Sequence, residues 1–145
     1  MIRYLAAVAG IAIGVGTLAA QSDPIPARKA LMKANGDQAK IAKEMVDAKR
    51  PFDLDAAKKA FTTFSEAGEK APALFPDSSK TGGDTAALPA IWENKADFEA
   101  KLAKFARESK AAAEATKDFD SFKAQYSEIV KNCGGCHQTY RKRAT

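Results

Sequence analysis

The chain has two cysteines and one histidine, and all three fall within Cys133-Gly134-Gly135-Cys136-His137. On a helix, residues three and four apart share a face, so both thiols can reach one edge of a flat ring. His137 follows directly and can turn its imidazole beneath a metal at the ring centre. Cys-x-x-Cys-His is the attachment pattern of c-type haem. The two glycines let the ring edge come close to the backbone. Competing chemistries fit less well. A thioredoxin-like pair belongs to a βαβ unit, and no segment here alternates long enough to make a strand. Structural zinc takes four ligands, against three present. A plain disulfide is open to an exported protein, but it gives no reason for the position of the only histidine.

Four helical segments must position these residues. The first begins near Pro24 or Pro26, both tolerable at a helix start, and runs to about Lys49, where Pro51 and Phe52 break it. Its apolar stripe reads Leu31, Ala34, Ile41, Met45. Asp53 is the expected cap of the second, with Leu54, Ala57, Phe61 and Phe64 on one face and an end around Gly68 to Ala71. Prolines, paired glycines and short polar residues from Pro72 to Pro89 predict a long crossover loop. The third helix follows Trp92 and runs to about Thr116, marked by Phe98, Leu102 and Phe105. Asp118 or Asp120 caps the fourth, where Phe122, Tyr126, Ile129, Cys133, His137 and Tyr140 recur at helical spacing. The expected fold is all-α: an antiparallel four-helix bundle with its long crossover between helices 2 and 3.

Export is a separate expectation. Arg3 precedes an uncharged run from Tyr4 to Ala20 that closes on small residues before Gln21-Ser22-Asp23. This layout predicts a secretory signal peptide over residues 1–20 and one four-helix haem domain over 21–145. The run is short and Gly-rich for a stable span of about 20 residues, and no basic stop-transfer cluster follows. No membrane span is expected after cleavage, and the periplasm is the expected compartment.

Hydrophobic residues make up 46% of the chain and charged residues 28%, a balance that argues for a folded domain over disorder. The formal net charge is +5, with acidic residues interspersed among the basic ones. Arg141-Lys142-Arg143 is too short to mark a nucleic-acid patch. The excess reads as solvated surface able to steer an acidic partner.

A Cys-x-x-Cys-His motif on the last helix of a bundle resembles the class II cytochromes c, the cytochrome c prime family. Arg28-Lys29-Ala30-Leu31-Met32-Lys33, Pro72-Ala73-Leu74-Phe75-Pro76, Gly82-Gly83-Asp84, Ile91-Trp92 and the ending His-x-x-Tyr-Arg resemble that family as well. The resemblance implies one haem c, bound covalently through Cys133 and Cys136, with His137 as an axial iron ligand. It places Met32 over the distal face, as in the low-spin subgroup that uses methionine as the sixth ligand. It sets Arg28 near a propionate and Arg141 close to the proximal histidine. Lys29, Lys80 and Thr81 match positions that line the haem edge, and Trp92, Phe98 and Tyr140 are candidates to pack on the ring.

Two functions follow from that resemblance. With Met32 and His137 both bound, the protein is a periplasmic electron carrier serving redox partner proteins, since a thioether opposite histidine raises the haem potential. With Met32 only capping the pocket, it is a five-coordinate, high-spin protein that binds nitric oxide or carbon monoxide. An enzyme is not expected, because a peroxidase wants distal acid–base groups and there is no second histidine. Family members resemble both monomers and homodimers.

Overall fold

A computed structural model describes residues 23–143. The predicted signal peptide and its cleavage point after Ala20 lie outside the described residues. Helix α1 spans Pro24–Val46, α2 Leu54–Lys70, α3 Ala90–Glu93, α4 Lys95–Ala115 and α5 Phe119–Tyr140. The four long helices are the expected bundle, and no strand occurs among the described residues.

Local chemistry accounts for most boundaries. Asp23 caps α1 by accepting from the Ile25 amide at 3.0 Å, and the prolines that follow occupy a first turn whose amides have no helical partner. Asp53 accepts from the Ala56 amide at 2.9 Å and starts α2. Asp118 and Ser121 form a reciprocal capping box at the start of α5. The first helix stops at Val46, short of the expected Lys49. Ala48 takes a left-handed conformation (φ 55°), and the Lys49 amide turns back to the Glu44 carbonyl at 2.9 Å.

Two further details differ from the sequence reading. The crossover is ordered by two 3₁₀ turns, Ala71–Leu74 and Asp77–Ser79, and by the one-turn helix α3. The Trp92 indole pins it by donating to the Phe75 carbonyl at 3.1 Å. On α1, Ala34 is exposed; Ile25, Arg28, Ala42 and Met45 form the buried face.

Packing divides the interior in two. At one end Ala42, Met45, Phe61, Phe64, Phe122 and Tyr126 form a buried core. At the other, Phe75, Ile91, Phe98, Leu102 and Tyr140 cluster, with Leu31, Trp92 and Cys136 against them. Helices α2 and α4 approach closely at Gly68. A Cβ built there would lie 2.8 Å from the Leu102 carbonyl oxygen and 2.9 Å from the Ala106 Cβ. Gly68→Ala is therefore expected to destabilise the fold by about 1–3 kcal/mol, despite alanine's better helix propensity. Denaturant titration checks this, and an unchanged or raised midpoint would contradict the close approach.

Candidate functional site

The buried stripes of α1 and α5 are interrupted at the same level. Along α1, burial lapses between Arg28 and Ala42, where Met32 and Asn35 are half-buried. Along α5, it lapses between Ile129 and Tyr140, where Cys133 and Cys136 are half-buried and His137 is open to solvent. A cavity of about 550 Å³ lies between these stretches. Its walls are mainly apolar, with Phe75, Ile91, Phe98 and Leu102 on one side, Met32 from α1, and Cys136 and His137 from α5. That volume falls in the range of about 300–1,000 Å³ that encloses a cofactor-sized molecule.

Most residues singled out in the sequence meet here. Arg28, Lys29, Met32, Cys136, His137 and Arg141 line the same cavity. Cys133 lies one turn back along α5, outside the lining. Lys80 and Thr81 also stand outside it: both are exposed, and the Lys80 ammonium sits 3.2 Å from the Asp77 carboxylate. Trp92 packs against the cluster behind the cavity, whereas Phe98 and Tyr140 reach the cavity wall. Sequence reasoning did not find Thr85, Ser79 or Asp97. Each acts through a partner far along the chain, so no local pattern announces it.

Arg28 is the site's buried cation, with only 4% of its surface exposed. It donates to Thr85 Oγ1 at 2.7 Å, to Ser79 Oγ at 3.0 Å and to the Leu74 and Ser79 carbonyls at 3.4 Å. Its guanidinium lies 4.8 Å from the Phe75 ring centroid and 5.8 Å from that of Trp92. Every one of these partners is neutral. Burial lowers its pKa, opposed by the charge of Asp23, but a guanidinium stays protonated in proteins. A buried cation held only by neutral groups suits an anionic substituent on a bound molecule.

The sulfur and imidazole groups are tuned by burial. Desolvation raises the pKa of both thiols, so they remain protonated at neutral pH, unlike the lowered thiols of redox enzymes. They are not joined to each other. His137 is exposed on its outer side, but desolvation against the cavity wall, and secondly the charge of Arg141, lowers its pKa. Its imidazole is therefore neutral at physiological pH and offers a lone pair to a metal. Two thiols on one helical face, an imidazole, a thioether from the facing helix and a buried cation together fit an iron porphyrin with acidic side chains.

Tyr140 ends α5 and is only 3% exposed. Its hydroxyl donates to the Asp97 carboxylate, which holds Asp97 below the ordinary 3.8 and pushes Tyr140 from 10.0 up to about 12. The tyrosine's raised pKa contributes stability in full below pH 10.0 and loses it as pH rises through about 12. The depressed carboxylate contributes above pH 3.8 and loses its share as pH falls further. The stability gap between wild type and Tyr140→Phe is thus expected to be widest between those limits and to shrink above pH 10.0. Unfolding midpoints against pH check this; a gap that widens in alkali would refute the pairing.

Comparison with known proteins agrees with this chemistry. The family profile described as Cytochrome C' matches residues 23–141. Cytochrome c' of Rhodopseudomonas palustris is 41% identical over 138 residues, covering 94% of each chain. Cytochrome c-556 of the same organism is 30% identical over 145 residues, covering 97% of each. A solved structure of the R. palustris cytochrome c' superposes with a TM-score of 0.83 at 41% identity, covering 86% of this chain and all of that one. A likeness of this extent, over nearly all of the described chain, makes it a member of the cytochrome c' family, the class II cytochromes that bind haem c covalently.

Proposed function

We propose that this chain is a periplasmic mono-haem electron carrier whose low-spin iron is held between His137 and Met32. The observation that carries this reading is that Met32, from α1, and His137, from α5, line one apolar cavity from facing helices. Cys133 and Cys136 would hold the macrocycle as thioethers, the glycines between them leaving room for its edge, and Arg28 would bind a propionate. Lys29 and Arg141 line the same cavity, with Lys80 and Thr81 outside it on the crossover. Haem c, when bound, supplies the one-electron ferrous–ferric couple.

The protein's own groups make that couple useful. Desolvation, and secondly Arg141, disfavours protonation of His137, so its imidazole would offer a lone pair to the iron. Met32 is a soft, polarisable donor, and a His/Met pair raises the haem potential. Phe75, Ile91, Phe98 and Leu102 line the cavity and would keep water from a bound ring. With both axial positions filled by the protein, no substrate need bind and little structure need move between oxidation states. No acid–base machinery is required, so the chain acts as a carrier rather than an enzyme. Export through the signal peptide puts it where redox partner proteins of the periplasm can reach it. None of the helices among the described residues is long and apolar enough to cross a membrane.

A second reading has its own support: the relative at 41% identity over 138 residues is a cytochrome c', whereas cytochromes c-556 stand at 30% over 145 residues and at 38% over 115. In that reading Met32 only covers the pocket, the iron is five-coordinate, and nitric oxide or carbon monoxide would enter to take the open sixth position. Absorption spectra of the haem-loaded protein, oxidised and reduced, separate the two. Sharp reduced bands that carbon monoxide scarcely alters are expected. A broad high-spin spectrum that shifts at once with carbon monoxide would replace the carrier with the gas binder.

A further inference from the structure

Met32 and His137 stand on α1 and α5, which meet directly at the far end of the bundle, where the Tyr126 hydroxyl donates to the Ala39 carbonyl at 3.1 Å beside Met45 and Phe122. The closely packed pairs are α1 with α2, α2 with α4 and α4 with α5. What links α1 to α5 at the level of the cavity is the crossover segment 84–88.

On one side this segment grips α1. Thr85 Oγ1 accepts from Arg28 Nη2 at 2.7 Å, and the Asp84 carboxylate accepts from Lys29 Nζ at 2.6 Å. On the other side it grips the end of α5. The Leu88 amide donates to the Tyr140 carbonyl at 3.0 Å and the Lys142 amide to the Ala86 carbonyl at 2.8 Å, with Ala87 and Arg141 paired antiparallel between them. Thr85 joins the two halves, because the same Oγ1 also accepts from the Ala87 amide at 3.1 Å. The spacing is symmetrical. Arg28 precedes Met32 by four residues, and Arg141 follows His137 by four, about one helical turn in each case.

We infer that segment 84–88 is a strap that sets the separation of α1 and α5 and so determines whether Met32 reaches the iron, with Thr85 as its positioning residue. This rests on the reading of Met32 as sixth ligand. A metal ligand must be held to within about 0.5 Å of its productive position. Methionine, with three rotatable bonds, supplies little of that rigidity itself. The backbone of α1 must supply it, and beside the cavity the strap ties that backbone to the helix bearing His137. Weakening the strap raises the fraction of molecules with Met32 off the iron, and binding of an external ligand rises in proportion to that fraction.

Thr85→Val in the haem-loaded protein keeps the side-chain shape and removes the shared acceptor. Amide hydrogen exchange at Leu88 and Lys142 is expected to quicken about tenfold, and carbon monoxide to combine about tenfold faster as the low-spin fraction falls. Thr62→Val, whose hydroxyl bonds only the Lys58 carbonyl of its own helix, is expected to change neither. Unchanged exchange in Thr85→Val would overturn the strap. Faster exchange with unaltered ligation would overturn its hold on Met32. Met32→Leu judges the underlying reading separately. If that variant and the wild type share one spectrum, the sixth-ligand reading fails, and the exchange measurement still decides whether Thr85 couples the two helices.

Discussion

Serine at both Cys133 and Cys136 is expected to yield protein from which all haem is removed by acidified organic solvent, whereas wild-type haem stays with the chain. The reason is the difference between one molecule and two. On the proposed attachment, thioether bonds would keep the macrocycle at a high effective concentration beside His137 and Met32, and without them it would leave by simple dilution. Serine keeps the size of the side chain, so α5 itself should form in the variant. A bound group that favours only the native state also raises stability by mass action, so the unfolding midpoint should fall with the loss of haem. Single substitutions should be milder, since one thioether suffices for tethering, and should differ from each other. Cys136 lies in the cavity wall, whereas Cys133 sits a turn away. Haem that stays bound through denaturation in the double variant would refute attachment at this motif.

On the proposed His137/Met32 ligation, Met32→Leu is expected to open the iron to carbon monoxide and turn an electron carrier into a gas binder. Leucine keeps the apolar cover and removes the sulfur. If Met32 leaves the iron in about 1% of molecules, carbon monoxide binds the wild type about a hundredfold more weakly than it would an open site. The variant removes that handicap, so its affinity should rise about a hundredfold while the reduction potential falls. Overpacking is not a concern, because Met-to-Leu exchanges in apolar surroundings are well tolerated. Met45 serves as the control: it is 1% exposed in the core at the far end of the bundle, and Met45→Leu should leave the spectrum as it was.

Much of this site was legible in the sequence, and for identifiable reasons. Cys133, Cys136 and His137 are close along the chain, and helical spacing alone brings them to one face. The caps at Asp53 and Asp118 were legible because a capping side chain acts within three residues of itself. Met32 and Arg28 drew notice only through resemblance to a family, since a methionine or an arginine on an amphipathic helix has no pattern of its own. The end of α1 was misjudged because nothing in Asp47-Ala48-Lys49 marks an alanine for the left-handed region. Helix α3 was invisible for want of length, as four residues show no periodicity. Gly68 read as a helix end; its function depends on the Leu102 carbonyl and Ala106, which only the folded bundle brings against it. The same holds for Thr85, whose partners Arg28 and Ala87 meet only once the crossover has closed over the cavity.

The proton NMR spectrum of the reduced, haem-loaded protein tests the central claim most directly. An axial methionine sits against the face of the ring, where the ring current moves its S-methyl protons far upfield of the ordinary aliphatic region. The account predicts one such methyl signal in the wild type and its disappearance in Met32→Leu, with Met45→Leu unchanged. A wild-type spectrum in which the Met32 methyl resonates among the ordinary side-chain signals would contradict a His137/Met32 iron and leave the gas-binding reading in its place.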